Sequence, residues 1–447
     1  MQPHSFIRLI ILILFLTACS KDDSTSTFLE PEVVNPSPDQ PDNNSDNPED
    51  QSPSDSEAVG EIFVFKEELV DPSHLLVNDA FNNRVYLMNK EAEILHEWEL
   101  KSGLGNDCVL QEDGTLLSLL EATSPEITFG GFGGLLQIIT PENAIAWEYP
   151  ISSYEEIAHH DTEMLPNGNL LVLVWKRKSA HEAQDSGFKY NYDIFPESIY
   201  EIEISSKEIV WQWNSWDHLI QDSDPNKPNY GNISKHPERI DINYNPNESG
   251  DIMHANGIEY DESRDLIYIS INFYSEVWII DHSTTTAEAS GSTGGNYNKG
   301  GDLIYRFGNP QAYSSPFGER LFYNNHFPNL KLNGNYDTLL LFMNGNNGDT
   351  QSTVYEFALP STFELLNDQK NELEILWEFS HPDLYSSKVS GAIELPNGNI
   401  LITEGDFGAW EVTRTKEVVW KFNGEGFFWR IYPYDNSSPA LAPFNID

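Results

Sequence analysis

The chain has 447 residues, 39% hydrophobic and 12% aromatic, which is enough for a large buried core. Lysine and arginine number 25 against 71 acidic residues, a formal net charge of −46. That excess excludes nucleic acid and anionic lipid faces as partners, and an anionic ligand would need a local site of opposite polarity.

In chain order, the first segment is "MQPHSFIRLIILILFLTAC". Arg8 precedes an apolar run from Leu9 to Leu16 that is too short to span a bilayer. Leu16-Thr17-Ala18-Cys19 then reads as a lipobox, so residues 1–19 are expected to be a lipoprotein signal peptide and Cys19 the lipidated N-terminus. This predicts a lipid-anchored protein of the bacterial cell envelope, on the periplasmic or outer face of the outer membrane. Cys108 is the only other cysteine, so no intrachain disulfide is available after lipidation, and Cys108 is expected to be a buried thiol. Residues 20–60 turn to Pro, Asp, Asn, Ser and Glu, a composition that cannot bury enough surface to offset chain entropy. We read them as a disordered acidic tether, opening on "SKDDS", which resembles the short acidic export signal of surface lipoproteins.

From residue 61 to 447 short alternating strands are separated by Gly, Pro, Asn and Asp turns, and no long helical period occurs. Two patterns alternate. The first is an aromatic, any residue, then a second bulky residue, found six times at Trp98, Trp147, Trp211, Tyr305, Trp377 and Trp420. The second leads through six to eight residues to a turn that opens an apolar strand, as in "HDTEMLPNGNLLVL", "HFPNLKLNGNYDTLLL" and "SGAIELPNGNILIT". Repeated sheets of about four strands predict an all-β, six-bladed β-propeller. Residues 74–98 are expected to form one blade, closed by the C-terminal "FFWRIYPY". A pair of β-sandwiches would not explain why the patterns alternate.

Counting six residues back from the position before the Asn-Gly turn reaches His160 in one repeat and His326 in another, with His254 at the matching place between them. The flanking repeats have Asn106 and Ser390 there. Such positions begin the strands that line a propeller tunnel, so the three imidazoles are expected to converge at one mouth.

"HHDTEMLPNGNLL", "HANGIEYDESRDLIYIS", "SEVWIIDHSTTTAE", "GGDLIYRFGNPQAY" and "ILITEGDFG" together resemble the bacterial arylsulfotransferases, which need no nucleotide sulfate donor. The resemblance runs from about residue 75 to 432. It implies a six-bladed propeller that moves a sulfuryl group from a phenolic sulfate ester to a phenolic acceptor through a sulfohistidine, with no cofactor. The family's nucleophile falls on His326, its first tunnel histidine on His160, and its His-x-Asn motif on His254 and Asn256. Asn272, Asn325 and His159 are expected to touch substrate beside them. A neutral imidazole is a good nucleophile near neutral pH, while fixed donors can stabilise charge on the sulfuryl and leaving oxygens. Tyr154, Phe273 and Tyr274 are candidates to hold the aryl ring.

One departure stands out. Family members carry an Arg that clamps the sulfuryl oxygens in the strand after His-x-Asn, and here "YISINFYSEVW" puts Asn272 at that position. An uncharged donor there would cost about 10²-fold in rate, by analogy with losing one oxyanion donor. Arg306, in an expected outer strand, is a weak substitute. Two rival readings follow from the residues alone. One is a zinc-dependent enzyme with three histidine ligands, weakened by the lack of a recurring carboxylate although Asp161 could orient His160. The other is a non-catalytic surface propeller that binds a glycan, sulfated ligand or protein. "DSDPNKPNYGNI" lacks the Gly and terminal Glu of a calcium loop, and "TFGGFGGLL" reads as a hairpin, not a phosphate cradle.

Overall fold

The structure, a computed structural model, describes residues 58–332, 337–345 and 350–446. The expected signal peptide, Cys19 and nearly all of the tether lie outside them. Apart from loops and turns, the described chain is strand, with two short α-helices, Ala180–Asp185 and Thr286–Ala289, and four brief 3-10 segments among the described residues.

Six antiparallel sheets are arranged as six blades, five of four strands and one of five. Their innermost strands are Phe428–Tyr434 in blade 1, Leu104–Leu110 in blade 2, Glu156–Met164 in blade 3, Ala255–Asp261 in blade 4, Asn325–Lys331 in blade 5 and Gly391–Glu394 in blade 6. The ring closes twice. The C-terminal strand Phe428–Tyr434 pairs with His74–Asp79 as the inner edge of blade 1, and Glu61–Phe65 adds a fifth, outer strand to blade 6 beside Val418–Asn423.

The aromatic pattern of the sequence falls on the fourth strand of every blade: Ile94–Trp98, Ile145–Pro150, Glu208–Asn214, Tyr305–Phe307, Ile375–Ser380 and Val418–Asn423. Its chemistry explains the repetition. Trp147 donates its indole N–H to the carbonyl of Ile204 in blade 3, Trp211 to Thr284 in blade 4, Trp377 to the carbonyl of Arg414 in blade 6, and Trp420 to that of Lys90 in blade 1. Each of these outer strands therefore clasps an outer turn of the next blade, burying an apolar ring while satisfying its one polar atom. Between the blades run successive apolar layers, such as Leu117, Leu119, Leu136, Val172 and Val174 between blades 2 and 3. Cys108 is a free thiol, fully buried in the layer between blades 1 and 2.

Candidate active site

The inner strands of blades 1 to 5 all break their ladders at one end. Pairing jumps from Phe428 to Ile431, from Leu104 to Cys108, from His159 to Thr162, from Ala255 to Gly257 and from His326 to Asn329. Bulges of this kind re-aim side chains out of the sheet. The backbone beside them is left-handed at residues bearing a Cβ, with φ of 52° at His160, 57° at His254, 55° at Phe327, 53° at Val389 and 84° at Ser390. That conformation is uncommon outside glycine, and its concentration around one point marks a place where geometry overrides local preference.

The three imidazoles meet there. His160 and His254 stand edge to face with ring centroids 4.7 Å apart, and His160 and His326 share a small cavity with Asn106, Asn256, Ser390 and Arg430. The cavity holds about 10 Å3, the space of a single water.

Their protonation states differ. His254 Nδ1 lies 2.5 Å from Asp251 Oδ2, and Phe273 stacks on its ring at 4.7 Å. Burial works against the charge on His254, but Asp251 outweighs it and holds the pKa above the ordinary histidine value. For His326 burial dominates and pushes the pKa down to about 3, with His254 and Arg430 adding to the effect against the hydrogen bond to Asn344. The neutral His326 ring has a defined tautomer. Its Nε2 accepts the Val389 backbone N–H at 3.2 Å, so Nδ1 carries the proton and donates it to Asn344 Oδ1 at 2.5 Å. His160 is kept neutral by burial and by the neighbouring imidazoles and Arg430. One proton lies between its Nδ1 and that of His159, 3.0 Å away. His159 is itself sealed against Trp175, its ring stacked at 3.7 Å, with Glu197 Oε2 3.0 Å from its Nε2. It therefore positions His160 and does not reach the cavity. Against the other side of His160 lies Gly131, of the expected "TFGGFGGLL" hairpin: a Cβ there would stand 2.1 Å from His160 Nε2.

Of the expected asparagines, only Asn256 reaches the cavity, where its Oδ1 is buried without a partner among the described residues while its amide donates to the Asn325 carbonyl at 2.8 Å. Asn272 donates to the same carbonyl at 3.3 Å, and the Asn325 amide donates to Ser270 Oγ and the Glu276 carbonyl at 2.7 and 2.9 Å. Both are committed to tying blades 4 and 5 together. Asp161 does not orient His160: it accepts the Ile258 N–H at 2.8 Å and pairs with Arg430 at 3.0 Å. Phe273 is at the site, but Tyr274 is buried in the core with its hydroxyl on the Asp241 carbonyl, and Tyr154 is exposed beneath Arg177. Arg306 is buried in an outer strand, paired with Glu276.

The cation at the site is one that the sequence reading missed. Arg430, from the C-terminal strand, crosses the tunnel, with one nitrogen near Asp107 and Asp161 at 3.1 and 3.0 Å and another donating to the Asn256 carbonyl at 2.8 Å. Phe327 lies 4.1 Å beneath its guanidinium. It thus contacts blades 2, 3, 4 and 5 from blade 1 and forms the cavity floor. The available signal was the closing strand itself: if "FFWRIYPY" supplies the innermost strand, its Arg must lie in the tunnel. Among the described residues no group of three or more His, Cys, Asp or Glu is arranged to hold a metal ion.

A family model described as Arylsulfotransferase (ASST) matches residues 144–427, more than half of the chain. The chain belongs to the arylsulfotransferase family. The family match makes it an aryl sulfotransferase in general terms, with a phenolic sulfate donor and a phenolic acceptor, and the matched span covers His160, His254 and His326 but stops short of Arg430. No curated protein matches the chain. Among solved structures, this arylsulfotransferase is similar to a putative 6-phosphogluconolactonase from Bacteroides fragilis, at 11% identity over 86% of this chain and 100% of the other, with a TM-score of 0.43. It is also similar to a periplasmic gluconolactonase from Pseudomonas aeruginosa, at 9% identity over 81% of this chain and 98% of the other, with a TM-score of 0.41.

Proposed function

We propose that the protein transfers a sulfuryl group from a phenolic sulfate to a phenol through a sulfonated His326. What supports this reading most is one contrast: two imidazoles at the same site, one kept neutral with its Nε2 as the acceptor of the Val389 N–H at the cavity and one whose pKa a carboxylate holds above the ordinary histidine value. In the first half-reaction His326 Nε2 gives up the Val389 N–H and attacks sulfur, and the bond from sulfur to the aryl oxygen breaks. The electron pair leaves on that oxygen, which takes the proton of His254. The His326 ring becomes cationic, and its Nδ1–H bond to Asn344 strengthens. In the second half-reaction the acceptor oxygen attacks sulfur, the S–N bond returns its pair to Nε2, and the phenolic proton passes to His254. His160 stands beside the sulfuryl oxygens, while Asn256, with its amide on the Asn325 carbonyl, and Arg430, paired with Asp107 and Asp161, shape the cavity around them. Asn272, Asn325 and His159 act behind them as supports. By its sequence the protein is anchored through Cys19 in the cell envelope.

A second reading, a propeller that binds without turnover, draws on the Val389 N–H that caps His326 Nε2 and on Asn272 standing where family members carry an Arg. The test is transfer from 4-nitrophenyl sulfate to phenol, followed as nitrophenol release, together with mass spectrometry of the peptide carrying His326. We expect release in the wild type, a sulfonated His326 when acceptor is withheld, and loss of at least about 10³-fold in His326→Ala, the scale of removing an activated nucleophile. Equal release by wild type and variant, or saturable binding with no turnover, would sink the proposal.

A further inference from the structure

Asn272 leaves a vacant role. The amide at the clamp position faces Asn325, and the Arg430 guanidinium, although it lines the cavity, is paired with Asp107 and Asp161 and has its N–H groups on those side chains and on the Asn256 carbonyl. A donor without a prior commitment is needed for the sulfuryl oxygens.

The residue next to Arg430 has one. The ladder skips both Trp429 and Arg430, so both leave the sheet at the bulge. Trp429 lines the cavity with His160 and His326, and its ring meets that of His160 edge-on at 6.3 Å. Its Nε1 is buried and finds no acceptor among the described residues. Other tryptophans behave differently: Trp175, Trp278 and Trp410 donate to buried glutamates, and the outer-strand indoles donate to neighbouring blades. Trp98 also has an unpartnered Nε1, but it packs in the core between blades 1 and 2, against His96 and Phe444. A buried indole N–H with no partner is unfavourable unless something supplies the acceptor. Here the indole shares a cavity with the Nε2 that attacks sulfur.

We propose that Trp429 is a catalytic residue whose Nε1–H donates to a sulfuryl oxygen, in place of the family's arginine. This rests on the aryl-sulfate reading of the site. An indole N–H is neutral and held rigidly by its ring, so it needs no reorganisation as the sulfuryl group passes between oxygen and nitrogen.

The first test uses wild-type protein with 15N-labelled indoles, titrated with 4-nitrophenyl sulfate. Of the 11 tryptophan indole signals, one, absent in Trp429→Phe, is expected to move downfield on saturation. The second compares turnover. Trp429→Phe keeps a flat aromatic ring but loses the N–H, and kcat is expected to fall roughly 10- to 100-fold with an unchanged thermal transition. The wild-type titration needs no variant to fold. If wild type transfers sulfuryl groups while the variant matches its kcat, or if no indole signal moves on saturation, the tryptophan proposal falls and the family reaction stands. If wild type neither transfers nor binds the donor, the aryl-sulfate reading fails and takes this proposal with it. A moving signal without turnover supports the donor role and overturns only the catalytic reading.

Discussion

His254 shows how a single carboxylate decides what an imidazole can do. Burial alone would leave it neutral like His160 and His326, and Asp251 reverses that. The sign of the resulting pH effect follows directly. A histidine whose pKa is raised is protonated over a wider range, so the half-reaction that needs its proton is supported below that pKa and lost as pH rises through it. In Asp251→Asn burial dominates, the pKa drops below the ordinary histidine value, and the alkaline limb of kcat moves to lower pH. We expect turnover of phenyl sulfate at about pH 8 to fall by about 10²-fold, within the range of general acid catalysis. Turnover of 4-nitrophenyl sulfate, whose leaving group needs less protonation, should fall less. Identical pH profiles for variant and wild type would show that His254 does not deliver the proton.

Short elements were legible in the sequence to the degree that they repeat. The outer-strand aromatics and the turns before apolar strands recur from blade to blade because each blade faces the same packing problem, and they led to the six-bladed ring. What each asparagine does was not legible, because Asn256, Asn272 and Asn325 differ only in which way their amides face after the bulges form. The Val389 N–H is a backbone group with no side-chain signature, and Asp251 precedes its strand in a loop whose sequence does not recur in the other repeats. The loop before blade 2's third strand makes a similar point, since "TFGGFGGLL" reads as a hairpin yet is shaped around an imidazole. Gly131 has a φ of +84°, and a Cβ there would overlap His160, whereas a Cβ on the adjacent Gly130 meets nothing within 4 Å. Gly131→Ala is therefore expected to displace His160 and lower kcat by roughly 10- to 100-fold, as misplacement near the chemistry does. Its stability cost should be about 1 kcal/mol from the left-handed backbone. Gly130→Ala should leave kcat and the urea midpoint unchanged. Equal behaviour of the two variants in these assays would remove Gly131 from any positioning role.

At the scale of the whole molecule, the tunnel beneath the active site gathers acidic side chains in a protein that already carries −46. Asp107, Asp161, Glu163 and Glu259 lie along it, and Arg430 is the cation paired with two of them. Burial raises the pKa of all four, to about 7 for Asp161 and about 8 for Glu259; neighbouring carboxylates add to this for Asp161, Glu163 and Glu259, and Arg430 opposes it for Asp107, Asp161 and Glu259. The folded protein therefore holds protons that the unfolded chain releases near about pH 4 to 5. Linkage then fixes the slope: the stabilisation is complete below the unfolded-state pKa values and is lost as pH rises through the folded ones, because the native state binds more protons across that window. The overall charge pushes in the same direction, since self-repulsion grows as carboxylates ionise. A single substitution separates the two contributions. Glu259→Gln removes one tunnel proton while changing the overall charge by at most one, so between about pH 5 and 7 its unfolding free energy should fall with pH less steeply than that of wild type. One proton corresponds to about 1.4 kcal/mol per pH unit, which sets the largest expected difference in slope. The measurement is urea unfolding at several pH values, read as free energy against pH for both proteins. Parallel lines would mean that Glu259 titrates in the folded protein as it does in the unfolded chain, and that the acidic tunnel destabilises the propeller only through its share of the net charge.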